Sequence, residues 1–214
     1  MNSIVKEKRY ISERLGIPYE NLSQSYLRAE TELLTTSKID FTLQRNKATS
    51  QIVTERLLDL NDEFVITHFF VGLKGVIDKN DNNQLVGTVQ TYETPNTFKN
   101  TNVGVIYNSN LNFTIDRTEF IPEFPVKAFR RVPVQQEIEY YEKGTGKQKQ
   151  YGHNGFTNGL YGFANSEPTL INGRQTLDLS VDLGSAVELN NPSSSFRTAY
   201  AVFEARGYLV VNAK

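Results

Sequence analysis

The residues with chemically active side chains are few, and their spacing matches no established catalytic or metal-binding pattern. Residues 78–83, DKNDNN, carry aspartate or asparagine at the first, third and fifth positions of a calcium-binding loop. Such a loop needs glycine at its sixth position and glutamate at its twelfth, where this chain has Asn83 and Val89. The segment is therefore predicted to be a polar turn between strands.

The histidines and the paired carboxylates also lie outside any recognised catalytic motif. His68 lies in the apolar run FVITHFF, where we expect a packed, hydrogen-bonded histidine, and His153 lies in a glycine-rich stretch without a nucleophile motif. Glu137 and Glu139 share a strand face, which is typical of a solvated face as well as of a glycosidase pair. Residues 144–149, GTGKQK, lack the ending of a phosphate-binding loop. We expect no enzymatic activity and assign no catalytic, cofactor-binding or metal-binding residue.

Composition narrows the function classes further. The chain has 214 residues, 38% of them hydrophobic, and a net charge of -1, which favours a packed core and argues against binding nucleic acid mainly by charge. It has no cysteine, which excludes disulfides, thiol nucleophiles and cysteine-ligated metals. The N-terminus has no apolar run of signal-peptide length, and residues 64–73 are too short to span a membrane. We expect a soluble protein made in a cytoplasm.

Helical spacing is confined to the first 36 residues. A first helix is predicted to end at Gly16 and Pro18. A second helix is predicted over residues 19–33, because four apolar residues fall at helical spacing: Leu22, Tyr26, Ala29 and Leu33. We interpret residues 1–36 as a helical N-terminal arm, which either packs on the following domain or reaches a neighbouring subunit.

Beyond residue 37 the apolar pattern is that of β-strands. Predicted strands include residues 39–43, 63–77, 85–92, 103–107, 111–115, 132–140, 177–183 and 201–209. The last of these places Glu204 and Arg206 on the face opposite its apolar residues. The pattern predicts an all-β jelly roll or β-sandwich of about eight to ten antiparallel strands over residues 37–214.

Turn residues add local predictions. Asn172-Gly173 predicts a type I′ hairpin, which needs positive φ at both central residues. Three prolines predict a sheet edge or an ordered loop: Pro122, Pro125 and Pro133. Residues 144–163 are predicted to form a long glycine- and aromatic-rich loop, which is either a stacking platform for a sugar or partner or a segment packed on the sheet.

Candidate contact residues are aromatic and basic residues of the N-terminal arm, of the segment after Phe129 and of the predicted loop. Arg130 and Arg131 follow Phe129 and either stack on bases or pair with acids across a subunit interface; the near-neutral net charge favours the interface. The candidate subunit-interface or ligand-binding residues are Tyr10, Tyr26, Arg130, Arg131, Tyr151, His153, Phe156 and Tyr161.

Two segments carry a resemblance to a known class of protein. Residues 53–73, VTERLLDLNDEFVITHFFVGL, and residues 196–212, FRTAYAVFEARGYLVVN, resemble the opening and closing strands of capsid-type jelly-roll proteins of bacterial viruses. The resemblance covers about a fifth of the chain and implies a virion shell or shell-associated protein without catalytic residues. Glu7 and Glu13 offset the basic residues near the N-terminus, which departs from the basic arm of many small capsid proteins.

We therefore expect a self-assembling capsid subunit, located in virions that assemble in the host cytoplasm. Its expected partners are other copies of itself and other virion proteins, with nucleic acid at most an indirect partner. Alternatives are a carbohydrate- or receptor-binding β-sandwich module that uses residues 144–163, a minor virion or tail accessory protein, and a β-sandwich glycosidase. If the arm mediates assembly, removal of residues 1–35 is expected to leave a folded domain that does not assemble.

Overall fold

The computed structural model describes residues 3–48, 52, 54–76, 89–92, 101–131, 134–142, 146–154, 161–162, 168–189 and 198–211, with strand pairing alone for 134–142, 146–154 and 161–162. Within these residues one helix, α1 (Ser3–Leu15), precedes eleven strands. The strands are β1 (Leu22–Glu32), β2 (Thr35–Phe41), β3 (Glu63–Val76), β4 (Asn110–Ile115), β5 (Thr118–Pro125), β6 (Val134–Glu142), β7 (Gly146–Asn154), β8 (Tyr161–Gly162), β9 (Thr169–Asn172), β10 (Leu177–Glu188) and β11 (Thr198–Val210). Short 3-10 helices span Tyr19–Asn21, Arg45–Lys47, Thr101–Asn108 and Val126–Phe129.

Two antiparallel sheets form the body of the described structure. In the first sheet the order is β1-β11-β3, and both β8 and β9 pair with the far side of β3. In the second sheet the order is β2-β10-β4-β5. Strands β6 and β7 form a separate hairpin.

The strand pairs are nested along the chain. β1 pairs with β11, β2 with β10, β3 with β9 and β4 with β5, so the outermost strands pair with each other and the innermost pair is a hairpin. This nesting results when one antiparallel ribbon is rolled up so that successive pairs alternate between two sheets, which is the jelly-roll arrangement. The predicted all-β jelly-roll sandwich is therefore confirmed, with β6, β7 and β8 inserted between β5 and β9.

The main core lies between the two sheets. Phe203 of β11 contacts Phe41 of the opposite sheet, with 6.0 Å between ring centroids, and Phe69 of β3 at 6.1 Å. Alternation explains the contact, because Ala201, Phe203 and Ala205 share the inward face of β11. The strands predicted over residues 39–43, 63–77, 111–115, 132–140, 177–183 and 201–209 correspond to β2, β3, β4, β6, β10 and β11.

Helix α1 packs on the outer face of the first sheet. Ile11 is fully buried in a small cluster that is separate from the main core and also contains Leu22, Val65, Tyr208 and Val210. The helix ends as predicted at Gly16, whose φ of 67° lies in the left-handed region that terminates helices. In the described part of the chain, no helix combines the length and the apolar composition needed to cross a membrane.

The second predicted helix is wrong. Residues 22–32 form β1, which pairs with β11 along its whole length. Leu22 and Tyr26 lie on the outer face of the strand, whereas Ala29 contributes to the core between the sheets. The helical part of the N-terminal region is therefore α1 alone, and removing residues 1–35 would delete a strand from the first sheet.

Two further local predictions are also wrong. Residues 103–107, predicted as a strand, lie in the 3-10 helix Thr101–Asn108, which buries Val103, Ile106 and Tyr107 at helical spacing. Asn172-Gly173 does not form a type I′ hairpin, because β9 and β10 belong to different sheets and Gly173 lacks a positive φ. Glycine is required there for a different reason: a Cβ would overlap the carbonyl oxygen of Asp59.

The long loop predicted over residues 144–163 is a strand for much of its length. Residues 146–154 form β7, and residues 161–162 form β8. Pro122 and Pro125 lie in β5, an edge strand of the second sheet, as predicted. Residues 78–83 and 85–88, Pro133 and Phe163 lie outside the described residues.

Candidate functional site

A groove of about 820 Å³ lies on the outer face of the first sheet. Its walls come from α1, which packs over one end of this face, and from the neighbouring strands β1, β11 and β3. All three strands direct alternate side chains outward here, because the other face of the sheet is committed to the core. The groove is therefore a polar surface built on rigid strands.

A β-bulge in β3 shapes the floor of the groove. His68 lies opposite Arg206 and Ile66 lies opposite Gly207, which leaves Thr67 as an extra residue. The Thr67 hydroxyl donates a hydrogen bond to the Arg206 carbonyl oxygen at 3.2 Å. Gly207 is required at this point, because a Cβ would overlap the Val65 carbonyl oxygen.

Polar contacts connect α1 to the sheet across the groove. The Tyr208 hydroxyl donates to Glu7 Oε2 at 3.1 Å, and Glu7 Oε1 lies 3.9 Å from His68 Nδ1. His68 Nδ1 lies 2.9 Å from Thr67 Oγ1, within hydrogen-bond distance. Burial, and next the Glu7 carboxylate, raise the pKa of Tyr208. The phenol therefore remains a protonated donor to the helix.

The rest of the groove carries charges of both signs. Arg206 Nε donates to Glu204 Oε1 at 3.2 Å on β11. On β1, the ring of Tyr26 lies 5.2 Å from the Arg56 guanidinium. Carboxylates and guanidinium groups side by side can donate and accept hydrogen bonds with a polar or protein partner.

A buried ion pair stands next to the groove on the same face. Lys74 Nζ lies 2.6 Å from Glu30 Oε2, and both side chains are fully buried. Lys74 also donates to Thr54 Oγ1 at 2.9 Å, and Thr54 donates to Glu30 Oε1 at 2.6 Å. Arg28 completes the cluster, because its Nη2 lies 2.7 Å from Glu30 Oε1. Because Thr54 lies between β2 and β3, the cluster holds that connection against the sheet.

Neighbouring residues of the same connection cover part of the β1 edge. Glu55 accepts hydrogen bonds from the backbone N–H groups of Glu30 and Ile52, at 2.9 and 2.8 Å. Burial raises the pKa of Glu55, although these two bonds act in the opposite direction. Arg56 exchanges two backbone hydrogen bonds with Arg28, at 2.8 and 2.9 Å. The edge of β1 is thus covered at residues 28 and 30.

Of the predicted contact residues, Tyr26 lies in the groove and is 41% exposed. Tyr10 lies on α1, 52% exposed, and does not line the groove. Arg130 and Arg131 are exposed after the 3-10 helix Val126–Phe129, where the Arg131 N–H donates to the Thr91 carbonyl oxygen. The interface role predicted for these residues stays a prediction.

The remaining predicted residues belong to the inserted strands or lie beyond them. Tyr151 and His153 lie in β7, opposite Glu137 and Gln135 of β6. Tyr161 lies in β8, opposite Phe69 of β3. Phe156 lies outside the described residues.

Most groove residues were not identified from the sequence. Glu7, Arg28 and Tyr208 were not singled out, and His68 was expected to be packed, whereas its hydrogen-bonded side chain is 43% exposed. Glu204 and Arg206 were correctly assigned to the face of their strand that lies opposite its core residues. Alternation in β1, once it is recognised as a strand, would have placed Arg28 on the face of the groove. Glu7 and Tyr208 meet there only through long-range packing.

Among the described residues, no group of three or more histidine, aspartate or glutamate side chains is placed to hold a metal ion. Comparison of the chain with protein-family models, with curated proteins and with solved structures gives no match. The site is therefore interpreted from its own geometry.

Proposed function

We propose that this protein is a self-assembling structural subunit of a shell, in the manner of a virion capsid protein. The observation that carries the proposal is the nested strand pairing of a single jelly roll, an architecture used by viral capsid domains. Jelly rolls also serve as lectins and other domains, so the outer surface of the sandwich has to supply further support.

The surface around α1 supports an interaction with another protein. Several large apolar side chains are exposed on α1, on the segment that follows it and on β1: Ile4, Tyr10, Tyr19 and Tyr26. Exposed large apolar residues are typical of protein interaction sites, and tyrosine is enriched at such sites. The groove beside them carries both charge signs, which suits contact with another copy of the same surface.

The proposal describes a non-catalytic protein whose partners are other copies of itself and other virion proteins. Under it, the protein resides in virions that assemble in the host cytoplasm. A minor virion or tail accessory protein would share the fold and the surface but would form small defined oligomers rather than closed shells.

The test is the mass of the purified full chain by light scattering on a size-exclusion column, with negative-stain images of the peak. Closed particles or defined rings are expected. Tyr10→Ser should reduce their yield, whereas Leu34→Ser should not, because Leu34 is equally exposed at 52% but lies at the turn between β1 and β2. A monomer at every salt concentration would contradict the proposal.

A second candidate function is a carbohydrate- or receptor-binding module. The groove volume of about 820 Å³ lies within the range of small-ligand sites, and an exposed tyrosine stands beside paired charged groups. Glycan-array binding by a monodisperse monomer would favour this function, and silence of a well-folded monomer would exclude it.

A further inference from the structure

β1 is an edge strand whose backbone groups can be accounted for one by one. At the two ends of its ladder with β11, the Leu33 N–H donates to the Ala199 carbonyl and the Val211 N–H donates to the Asn21 carbonyl. Odd-numbered residues of β1 therefore bond to β11. Even-numbered residues point their N–H and C=O groups away from the sheet.

Some of these outward groups already have partners. Arg28 exchanges both bonds with Arg56, the Glu30 N–H donates to Glu55, and the Leu22 N–H bonds to the Tyr19 carbonyl. Among the described residues, no partner is supplied to the Leu22 carbonyl or to the N–H and C=O groups of Gln24 and Tyr26. Within the part of the chain that the structure describes, residues 22–26 are thus an open stretch of strand edge, directly beside the groove.

The edges of the second sheet are protected in ways that this stretch is not. In β2, the Thr36 hydroxyl bonds both the N–H and the C=O of Lys38, and the Thr31 hydroxyl donates to the Asp40 carbonyl. β5 contains Pro122 and Pro125 and two breaks in register. Prolines, bulges and side-chain caps prevent pairing with other chains. Residues 22–26 contain none of them.

We propose that residues 22–26 pair with the same residues of a second copy, antiparallel and across a two-fold axis. This inference rests on the proposed function, which requires the chain to assemble. A two-fold axis perpendicular to the sheet makes β1 and its copy antiparallel, so one surface serves as both partners. Adding a strand at an open edge supplies main-chain hydrogen bonds without rearrangement of either sheet.

The Arg56 contact restricts the register of this pairing. Even residues must lie opposite even residues, because they carry the outward groups. Since Arg56 already occupies the position opposite Arg28, an axis at residue 25 or beyond would bring Leu22 of the copy, or a later residue, into occupied space. An axis before Gln24 would leave Tyr26 without a partner. The axis therefore passes at Gln24.

This register forms four backbone hydrogen bonds, and the Leu22 N–H of each copy keeps its bond to the Tyr19 carbonyl, so the ladder ends at Leu22. The Gln24 N–H of each copy donates to the Gln24 carbonyl of the other, and the Tyr26 N–H of each copy donates to the Leu22 carbonyl of the other. The exposed Tyr26 side chain then lies on the same face as Leu22 of the second copy, beside that copy's α1. The pairing would join the two first sheets into one continuous sheet.

Single cysteines test the register, because the chain has none of its own. In Gln24→Cys the two Cα atoms would lie about 5.5 Å apart, within reach of a disulfide. We expect Gln24→Cys to form a covalent dimer on mild oxidation. Tyr26→Cys is the matched control: each residue 26 lies four positions along from its own copy, about 13 Å away, and should remain unlinked.

A proline variant tests the edge itself. Gln24→Pro removes an outward N–H, which an edge strand tolerates, so its circular dichroism and melting should match wild type. Its self-association should weaken by about tenfold or more, because two hydrogen bonds across the axis are lost. Ser25→Pro is the contrasting variant: it removes a bond to β11 and should unfold the protein.

The outcomes separate this inference from the proposed function. Particles that form equally well with Gln24→Pro, together with absent or equal cross-linking at residues 24 and 26, would overturn the edge pairing and leave assembly intact. Selective cross-linking at residue 24 in a protein that never exceeds a dimer would support the edge pairing and contradict the shell. A strict monomer without cross-links would overturn both.

Discussion

The buried Lys74–Glu30 pair allows a sharp test of the packing on the outer face of the first sheet. Lys74→Met keeps an unbranched side chain of similar length but removes the ammonium that lies 2.6 Å from Glu30 Oε2. The carboxylate stays fully buried and keeps the Arg28 guanidinium and the Thr54 hydroxyl as partners. The variant therefore leaves the buried charge of Glu30 with only part of its original hydrogen-bonding and ionic partners.

The expected cost follows from this partial compensation. Removing one partner of a buried ion pair lowers the free energy of unfolding by about 3–5 kcal/mol. Because Arg28 remains 2.7 Å from Glu30, we expect the lower end, about 3 kcal/mol. For a chain of this size that corresponds to a fall in melting temperature of about 6–12 °C.

The assay is urea unfolding at pH 7 followed by circular dichroism, since the chain has no tryptophan. Lys38→Met is the matched control, because Lys38 also lies 2.9 Å from a carboxylate, that of Asp40, but both side chains are more than half exposed. Its cost should be at most about 1 kcal/mol. If the Lys74 and Lys38 variants lose equal stability, the buried cluster does not act as described.

Two further predictions concern the same face. Ile11→Ala removes most of the fully buried side chain that anchors α1 to the sheet. It should lower the free energy of unfolding by about 2–3 kcal/mol, near the low end for truncation of a buried aliphatic residue. A loss below about 1 kcal/mol in urea unfolding would show that α1 contributes little to the fold. Glu55→Gln should change the pH dependence of stability. Since burial raises the pKa of Glu55 above its ordinary value of 4.5, the native state binds the proton more tightly than the unfolded state, and this contribution is complete below 4.5 and lost as pH rises through the native pKa. The stability of wild type relative to Glu55→Gln should therefore be greatest near pH 4 and decrease toward neutral pH, and a difference that grows with pH would contradict the burial argument.

The strands of the core were predictable because alternation is a local signal. β10 and β11 show a clear period of two, and the apolar run of β3 has the composition of a central strand. β1 was misassigned because residues four apart share a face in both a helix and a strand, so the pairs Leu22 and Tyr26, and Ala29 and Leu33, fit either structure. The interval from Tyr26 to Ala29 distinguishes the two: three residues keep one face in a helix but change face in a strand.

The groove and the ion cluster were beyond sequence patterns, because long-range pairing assembles them. The bond between Tyr208 and Glu7 joins residues 201 positions apart, and the Lys74–Glu30 pair joins residues 44 apart. The bulge at Thr67, which sets the faces of His68 and its neighbours, has no composition signal. Nested strand pairing involves strands from both ends of the chain, so no single segment of the sequence predicts it.

The buried Lys74–Glu30 cluster is structurally linked to the open edge of β1. A buried ion pair adds little net stability over well-packed apolar residues, so stability alone does not account for Lys74 and Glu30 on the outside of the sandwich. Their directional bonds to Thr54 instead fix where the connection between β2 and β3 lies, and so place Arg56 opposite Arg28. An apolar contact would hold the connection without specifying its position along β1. The cluster thereby determines which part of the edge is covered, and under the proposed edge pairing it sets the register in which a second copy would pair.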